Sequence, residues 1–148
     1  MNMEPILDEH IKLCEKDLGE DECEIEMRTN LVVTLLMSIA YCYLKLHFYT
    51  EALKCLDYAI EIAPIAADAY FRRSQVRMYN RLSSIAELRL AMEDANKALE
   101  RRPKDKIYHK HKQLLEQTIV TQISREVGFI TKLVDKAQAQ LEIKGRIE

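Results

Sequence analysis

Helix breakers are nearly missing from this chain. Its 148 residues hold three glycines, three prolines and no tryptophan. So few breakers, beside many Ala, Leu, Glu and Lys, exclude a turn-rich β architecture and favour an almost all-helical protein of one domain's length. The four cysteines (Cys14, Cys23, Cys42, Cys55) show no Cys-x-x-Cys spacing, and no secretory or transit segment is read ahead of them. Free thiols without a leader suit a reducing compartment, so a cytoplasmic setting is expected, with the nucleus as alternative. No uninterrupted apolar run approaches the roughly 20 residues of a membrane span, so no membrane partner is expected.

Catalytic and metal signatures are absent too. There is no glycine-rich phosphate loop, nucleophile elbow or zinc spacing. His109 and His111 stand about 200° apart on a helix and cannot chelate together. His10 and His47 are isolated. Asp105, His109 and Glu116 would all lie on an exposed basic helix. Neither an enzyme, nor a metal site, nor a cofactor is expected. Lys104, Lys106, Lys110 and Lys112 are interleaved with only Tyr108, and the net charge is −2. That balance argues against a nucleic-acid partner.

Charge is present but segregated. Residues 1–26 carry ten acids against Lys12 and Lys16, whereas residues 97–112 carry seven bases against Glu100 and Asp105. Apolar spacing predicts an amphipathic helix over 4–18, with Ile6, Leu7, Ile11, Cys14 and Leu18 on one stripe and Gly19 as its cap. Longer helices are expected over 25–46, 51–63, 67–81 and from Ser84 to about Arg101. Thr50 is read as the cap of the second of these, and Ser84 with Glu87 as a capping box for the last. Turns are expected at His47–Tyr49 and at Pro64.

A small/large punctuation runs through residues 33–66: Leu36, Ile39, Ala40 and Tyr43, then Ala52, Leu56, Ala59 and Pro64. Tyr70 follows Leu36 by 34 residues. Ala91, Ala95, Ala98 and Pro103 answer Ala52, Leu56, Ala59 and Pro64 with a shift of 39. Five residues are therefore inserted between the two helices of the second unit, placed around 80–88. Two helices per 34-residue unit resemble a tetratricopeptide (TPR) repeat. The segment LLMSIAYCYLKLHFYTEALKCLDYAIEIAP followed by DAYFRRSQ is similar to the TPR domains of large immunophilin-type prolyl isomerases, over about 31–117.

That resemblance implies an all-α, TPR-like right-handed superhelix of antiparallel helix pairs with a long C-terminal helix. Residues 1–24 would be the second helix of a truncated first repeat plus an acidic linker, 25–103 two repeats, and 104–148 a capping and extension helix. It implies a non-catalytic, co-chaperone-like scaffold; in such isomerases the activity resides in a separate β-rich domain, which nothing in this chain supplies. The groove of such repeats is lined by first helices. Here those helices offer Thr34, Ser38, Tyr41 and Lys45, then Asp68, Arg72, Gln75 and Tyr79, with the apolar Met37, Leu44, Phe71 and Met78 beside them. A peptide or protein partner is expected there, with Arg72 as the best anion contact.

Members that bind chaperones grip a C-terminal carboxylate with a clamp of Lys, Asn and Arg. Carried over, Arg72 keeps the Arg position, but Asp68 stands at a Lys position and Ser38 at an Asn position. The first-repeat pair cannot be placed. A chaperone tail is thus disfavoured against another peptide or protein in the same groove. Asp68 could instead pair with Arg72 four residues on.

From Lys104 to about Lys144 no proline interrupts, and Leu115, Ile119, Ile123, Val127, Ile130, Val134, Ala137 and Leu141 recur in steps of four and three. That is a single-sided stripe on a helix about 60 Å long, with Gly128 as a candidate bend. Self-association through Val127, Ile130, Val134, Ala137 and Leu141 is the alternative expectation: a structural assembly element and a homo-oligomer.

Overall fold

The computed structural model describes residues 22–147. The helix expected over 4–18 and most of the acidic linker lie outside them. The described chain is all-α, with five helices and no strand: α1 Glu22–Lys45, α2 Tyr49–Ile62, α3 Ala67–Tyr79, α4 Ile85–Arg101 and α5 Lys106–Ile147.

On α1, Val33, Leu36, Ala40 and Leu44 fall on one face and are buried, and Ala52, Leu56 and Ala59 of α2 meet them. Small side chains at Ala40, Ala52 and Ala59 let the two backbones approach closely. The second pair repeats the device with Ser74 on α3 and Ala91, Ala95 and Ala98 on α4. Each helix packs on the next, and α1 also meets α3, as α3 meets α5. Successive hairpins make α1 and α3 run in the same direction.

The turns differ. α1 ends with His47 at φ 63, while Phe48 N–H donates to Tyr43 O and His47 N–H to Leu44 O. These are the two bonds of a Schellman cap, with a histidine where glycine is usual. The chain leaves that cap directly into α2, whose N-cap is Phe48 with no side-chain bond. Thr50 therefore sits within the first turn and does not cap, contrary to the sequence expectation. Ser84 and Glu87 do form the expected capping box of α4.

The five inserted residues are divided. α1 and α3 end 34 residues apart, at Lys45 and Tyr79, and α2 and α4 end 39 apart, at Ile62 and Arg101. Two of the extra residues lengthen the turn and three extend the start of α4, so the insertion is only partly loop.

Between α2, α3 and α4 lies an ionic knot. Asp94 is 2% exposed and takes the Nε and Nη2 of Arg73 at 2.8 and 2.7 Å together with Nη1 of Arg77. The remaining arm of Arg73 reaches Asp57 at 2.8 Å. Such a pair is favourable only when its hydrogen bonds are complete, which the bidentate fork provides. The hydrogen bond from Asp94 leads the effects that hold the Arg73 guanidinium more firmly protonated than usual.

One sequence expectation needs correction. The stretch Glu24–Lys45 is long and apolar enough to cross a membrane by length and composition, with a mean hydropathy of 1.3. Asn30, Thr34 and Ser38 interrupt the apolar run without bringing the mean below that level. One face of α1 packs in the core, while Leu31 and Leu35 are exposed. At Gly128 α5 continues as helix, and a Cβ there would meet nothing within 4 Å.

Candidate functional site

The face shared by α1 and α3 collects most of the expected groove residues. Tyr41 projects from α1, and its ring carries the Arg72 guanidinium of α3 at 5.2 Å and the Lys45 ammonium at 5.2 Å. A cation over an aromatic face is drawn to its negative quadrupole, and guanidinium stacks best. Arg72 Nη1 also donates to Gln75 Oε1 at 3.1 Å. Tyr41, Lys45, Arg72 and Gln75 thus form one positively charged patch, with Tyr41 43% exposed and Lys45 exposed.

Thr34 and Ser38 lie on the exposed side of α1. Their hydroxyls donate back to Asn30 O at 2.7 Å and Thr34 O at 2.9 Å. Those protons are spent on the helix, and the oxygens face outward as acceptors. Tyr79 is exposed at the far end of α3.

Three expected groove residues serve elsewhere. Phe71 is only 6% exposed, stacked on Tyr108 of α5 at 4.6 Å and edge-on to His111 at 5.1 Å. α5 lies across it, so it cannot line an open groove. Met78 packs into the cluster of Leu88, Ala91, Ala95 and Leu115, because its side chain points toward α4 and α5. Leu44 is buried in the first hairpin.

Asp68 corrects the expected local pair with Arg72. Its Oδ1 accepts from the Tyr108 hydroxyl and from Arg102 Nη1, the latter at 3.2 Å. Arg72 is held instead by Tyr41 and Gln75, which lie further along the face. Burial, then the Asp68 carboxylate, holds the Tyr108 hydroxyl well above its ordinary titration range, so it stays a donor. The departure from the clamp pattern at Asp68 is therefore a carboxylate already matched by a cation from the end of α4.

Beside Asp68 opens a cleft of about 410 Å³, bordered by Asn30, Val33, Thr34 and Met37 of α1, the α2–α3 connection with Ile65, and Arg101 and Arg102. Sequence reasoning placed Thr34, Met37 and Asp68 on this face but not Asn30, Ile65 or the arginines. Arg101 and Arg102 counted there only among the seven bases of residues 97–112. An available signal was the exposed Ile65 beside Pro64, an apolar side chain in a turn.

His111, which the sequence placed only on the side of the helix away from His109, is 5% exposed. Its Nε2 lies 2.8 Å from Ser74 Oγ, whose own proton goes to Ala91 O at 2.7 Å. That order makes Nε2–H the donor of a neutral ring. Burial pushes its pKa down to about 4. His109 Nε2 donates to Pro103 O at 2.6 Å, and Asp105 Oδ1 caps α5 by accepting from Ile107 and Tyr108 N–H. These groups terminate helices rather than converge on a reacting atom. Among the described residues no group of His, Cys, Asp and Glu is placed to hold a metal ion.

On α5, Val127, Ile130, Val134, Ala137 and Leu141 are all exposed. Scanned against models of known protein families, the chain matches none.

Proposed function

We propose that this chain is a TPR-type recognition module that binds an acidic, extended peptide or partner segment along the face of α1 and α3. It carries out no chemistry of its own. Several features support the repeat reading. The paired helices, the 34-residue offset between the ends of α1 and α3, and the buried small residues at Ala40 and Ser74 are what stacked repeats require. The observation that carries the binding reading is the stack of Arg72 on Tyr41 with Lys45 at the same ring.

A carboxylate approaching that patch meets two cations held in place before it arrives. Little side-chain entropy is then lost on binding, since Tyr41 and Gln75 already restrict Arg72. Apolar side chains of the same ligand would enter the cleft beside Val33, Met37 and Ile65. The matched Asp68 adds no free negative charge to repel it. A co-chaperone-like role, with a chaperone tail as one acidic ligand, is a narrower form of the proposal, disfavoured by Ser38 at the Asn position of the clamp, whose proton goes to Thr34 O.

Calorimetric titration with an extended peptide carrying acidic and Leu or Met residues tests this. Binding should weaken at least tenfold in Arg72→Ala with Lys45→Ala, about 1.4 kcal/mol or more, without a change in thermal unfolding. Equal affinity for a peptide with lysines in place of the acids would overturn it.

A further inference from the structure

We infer that the overhanging part of α5 pairs with the same segment of a second copy as a two-stranded antiparallel coiled coil. The inference does not depend on the groove reading. From Leu115 to Val127 the apolar positions advance by four three times, through Ile119 and Ile123. Each step of four turns the stripe about 40° past a full circle, so the stripe is not single-sided throughout, as first read, but swings roughly 120° away from the packed face. Exposure rises along it: Leu115 is 0% exposed, Ile123 39% and Val127 56%. Beyond that point the steps become three and four alternately, the spacing of a coiled-coil seam. The seam is therefore a separate face, turned away from α3 and α4, and no other described helix covers it.

Helices in proteins draw most of their stability from packing an amphipathic face, so a long helix with an uncovered apolar stripe is incomplete alone. A second copy is the occupant the spacing fits. Val120, Val127, Val134 and Leu141 recur at one seam position and Ile123, Ile130 and Ala137 at the other, the apolar repeat that coiled-coil packing needs. A stable interface removes about 1,200–2,000 Å² from water, and the exposed Ile123, Val127, Ile130, Leu133, Val134 and Leu141 of two chains supply apolar surface for it.

Orientation follows from Lys144 and Leu133. In a parallel pair Lys144 would face the partner's Lys144 within the seam. In an antiparallel pair centred near Lys132, Val134 lies over the partner's Ile130, Val127 over the partner's Ala137, and Ile123 over the partner's Leu141. Lys144 then lies over the partner's Val120, one layer from the partner's Glu116, which is exposed. The two Leu133 side chains meet beside the two-fold axis and extend the apolar contact. Charge and burial both favour this arrangement, and its two-fold symmetry closes the assembly at two chains.

Sedimentation equilibrium of the full chain at tens of micromolar should give twice 17.3 kDa. Val127→Asp with Val134→Asp should weaken association at least a hundredfold while the melting of the helix pairs is unchanged. Orientation is read in chains whose native cysteines are replaced: mixed V127C and A137C chains should form a disulfide readily, and V127C alone should not. A monomer at these concentrations overturns the inference. So does a dimer indifferent to the two aspartates, or a V127C chain that cross-links to itself as fast as the mixture does.

Discussion

The two helix pairs use matching positions for opposite chemistry. Ile39, Tyr43 and Cys55 of the first pair correspond, by offsets of 34 and 39, to Arg73, Arg77 and Asp94 of the second. In the first pair Tyr43 and Cys55 pack on the apolar cluster of Ala40, Leu44, Ala52 and Leu56, and Ile39 is half-buried. In the second the same positions hold a buried carboxylate and two guanidiniums. What is kept between them is the small residue at the crossing, Ala40 and Ser74, with Ala52 and Ala91 opposite. Close approach is thus a requirement of the architecture, whereas the filling of the adjacent positions is free to be greasy or ionic.

The largest test of that comparison is Asp94→Ala. Arg77 and both the Nε and Nη2 groups of Arg73 would lose their partner inside the fold, costing about 3–5 kcal/mol in denaturant unfolding. Replacing all three together, Arg73→Ile, Arg77→Tyr and Asp94→Cys, copies the first pair and should restore stability to within about 2 kcal/mol of the natural chain. A triple variant no better than Asp94→Ala would show that the two pairs are not interchangeable.

A smaller effect is expected from His111, whose counterpart in the first pair is absent. At neutral pH the ring is uncharged in both folded and unfolded chains. As pH falls below about 6.5, the unfolded chain takes up the proton first, because burial holds the folded value at about 4. Stability is therefore lost between those limits, on the order of 3 kcal/mol in all. His111→Gln keeps an N–H toward Ser74 and should remove that part of the pH dependence, as measured by unfolding at pH 7 and pH 4.5.

The turns sharpen the comparison at the smallest scale. Ser84→Ala removes the cap of α4 and should cost about 1 kcal/mol. Thr50→Ala, within α2, should cost a few tenths of a kcal/mol or less, since its hydroxyl caps nothing. Thermal unfolding of the two variants distinguishes them.

Much of the helical layout was legible because apolar spacing and breaker positions act locally. The Ser84–Glu87 box, the Pro64 turn and the ends of α3 and α4 within two residues followed from neighbours in sequence. The site was legible in part. Tyr41, Lys45, Arg72 and Gln75 share faces predicted by helical spacing, and the structure brings them together. Phe71, Met78 and Asp68 were misjudged because their partners lie on α4 and α5, and no local pattern says which neighbour will cover a side chain. His111 was missed for the same reason: basic residues surround it in sequence, but Phe71 and Ser74 surround it in space.

The amino-acid order by itself determined the helices, their small-residue crossings and the drift of the stripe along α5, since each depends on residues a turn or two apart. Only the tertiary structure decided that Asp68 meets Arg102 and Tyr108, that Arg72 rests on Tyr41, and that Asp94 is enclosed by two arginines. Charges and rings choose their partners by distance through space, and that distance exists only once the helices have packed.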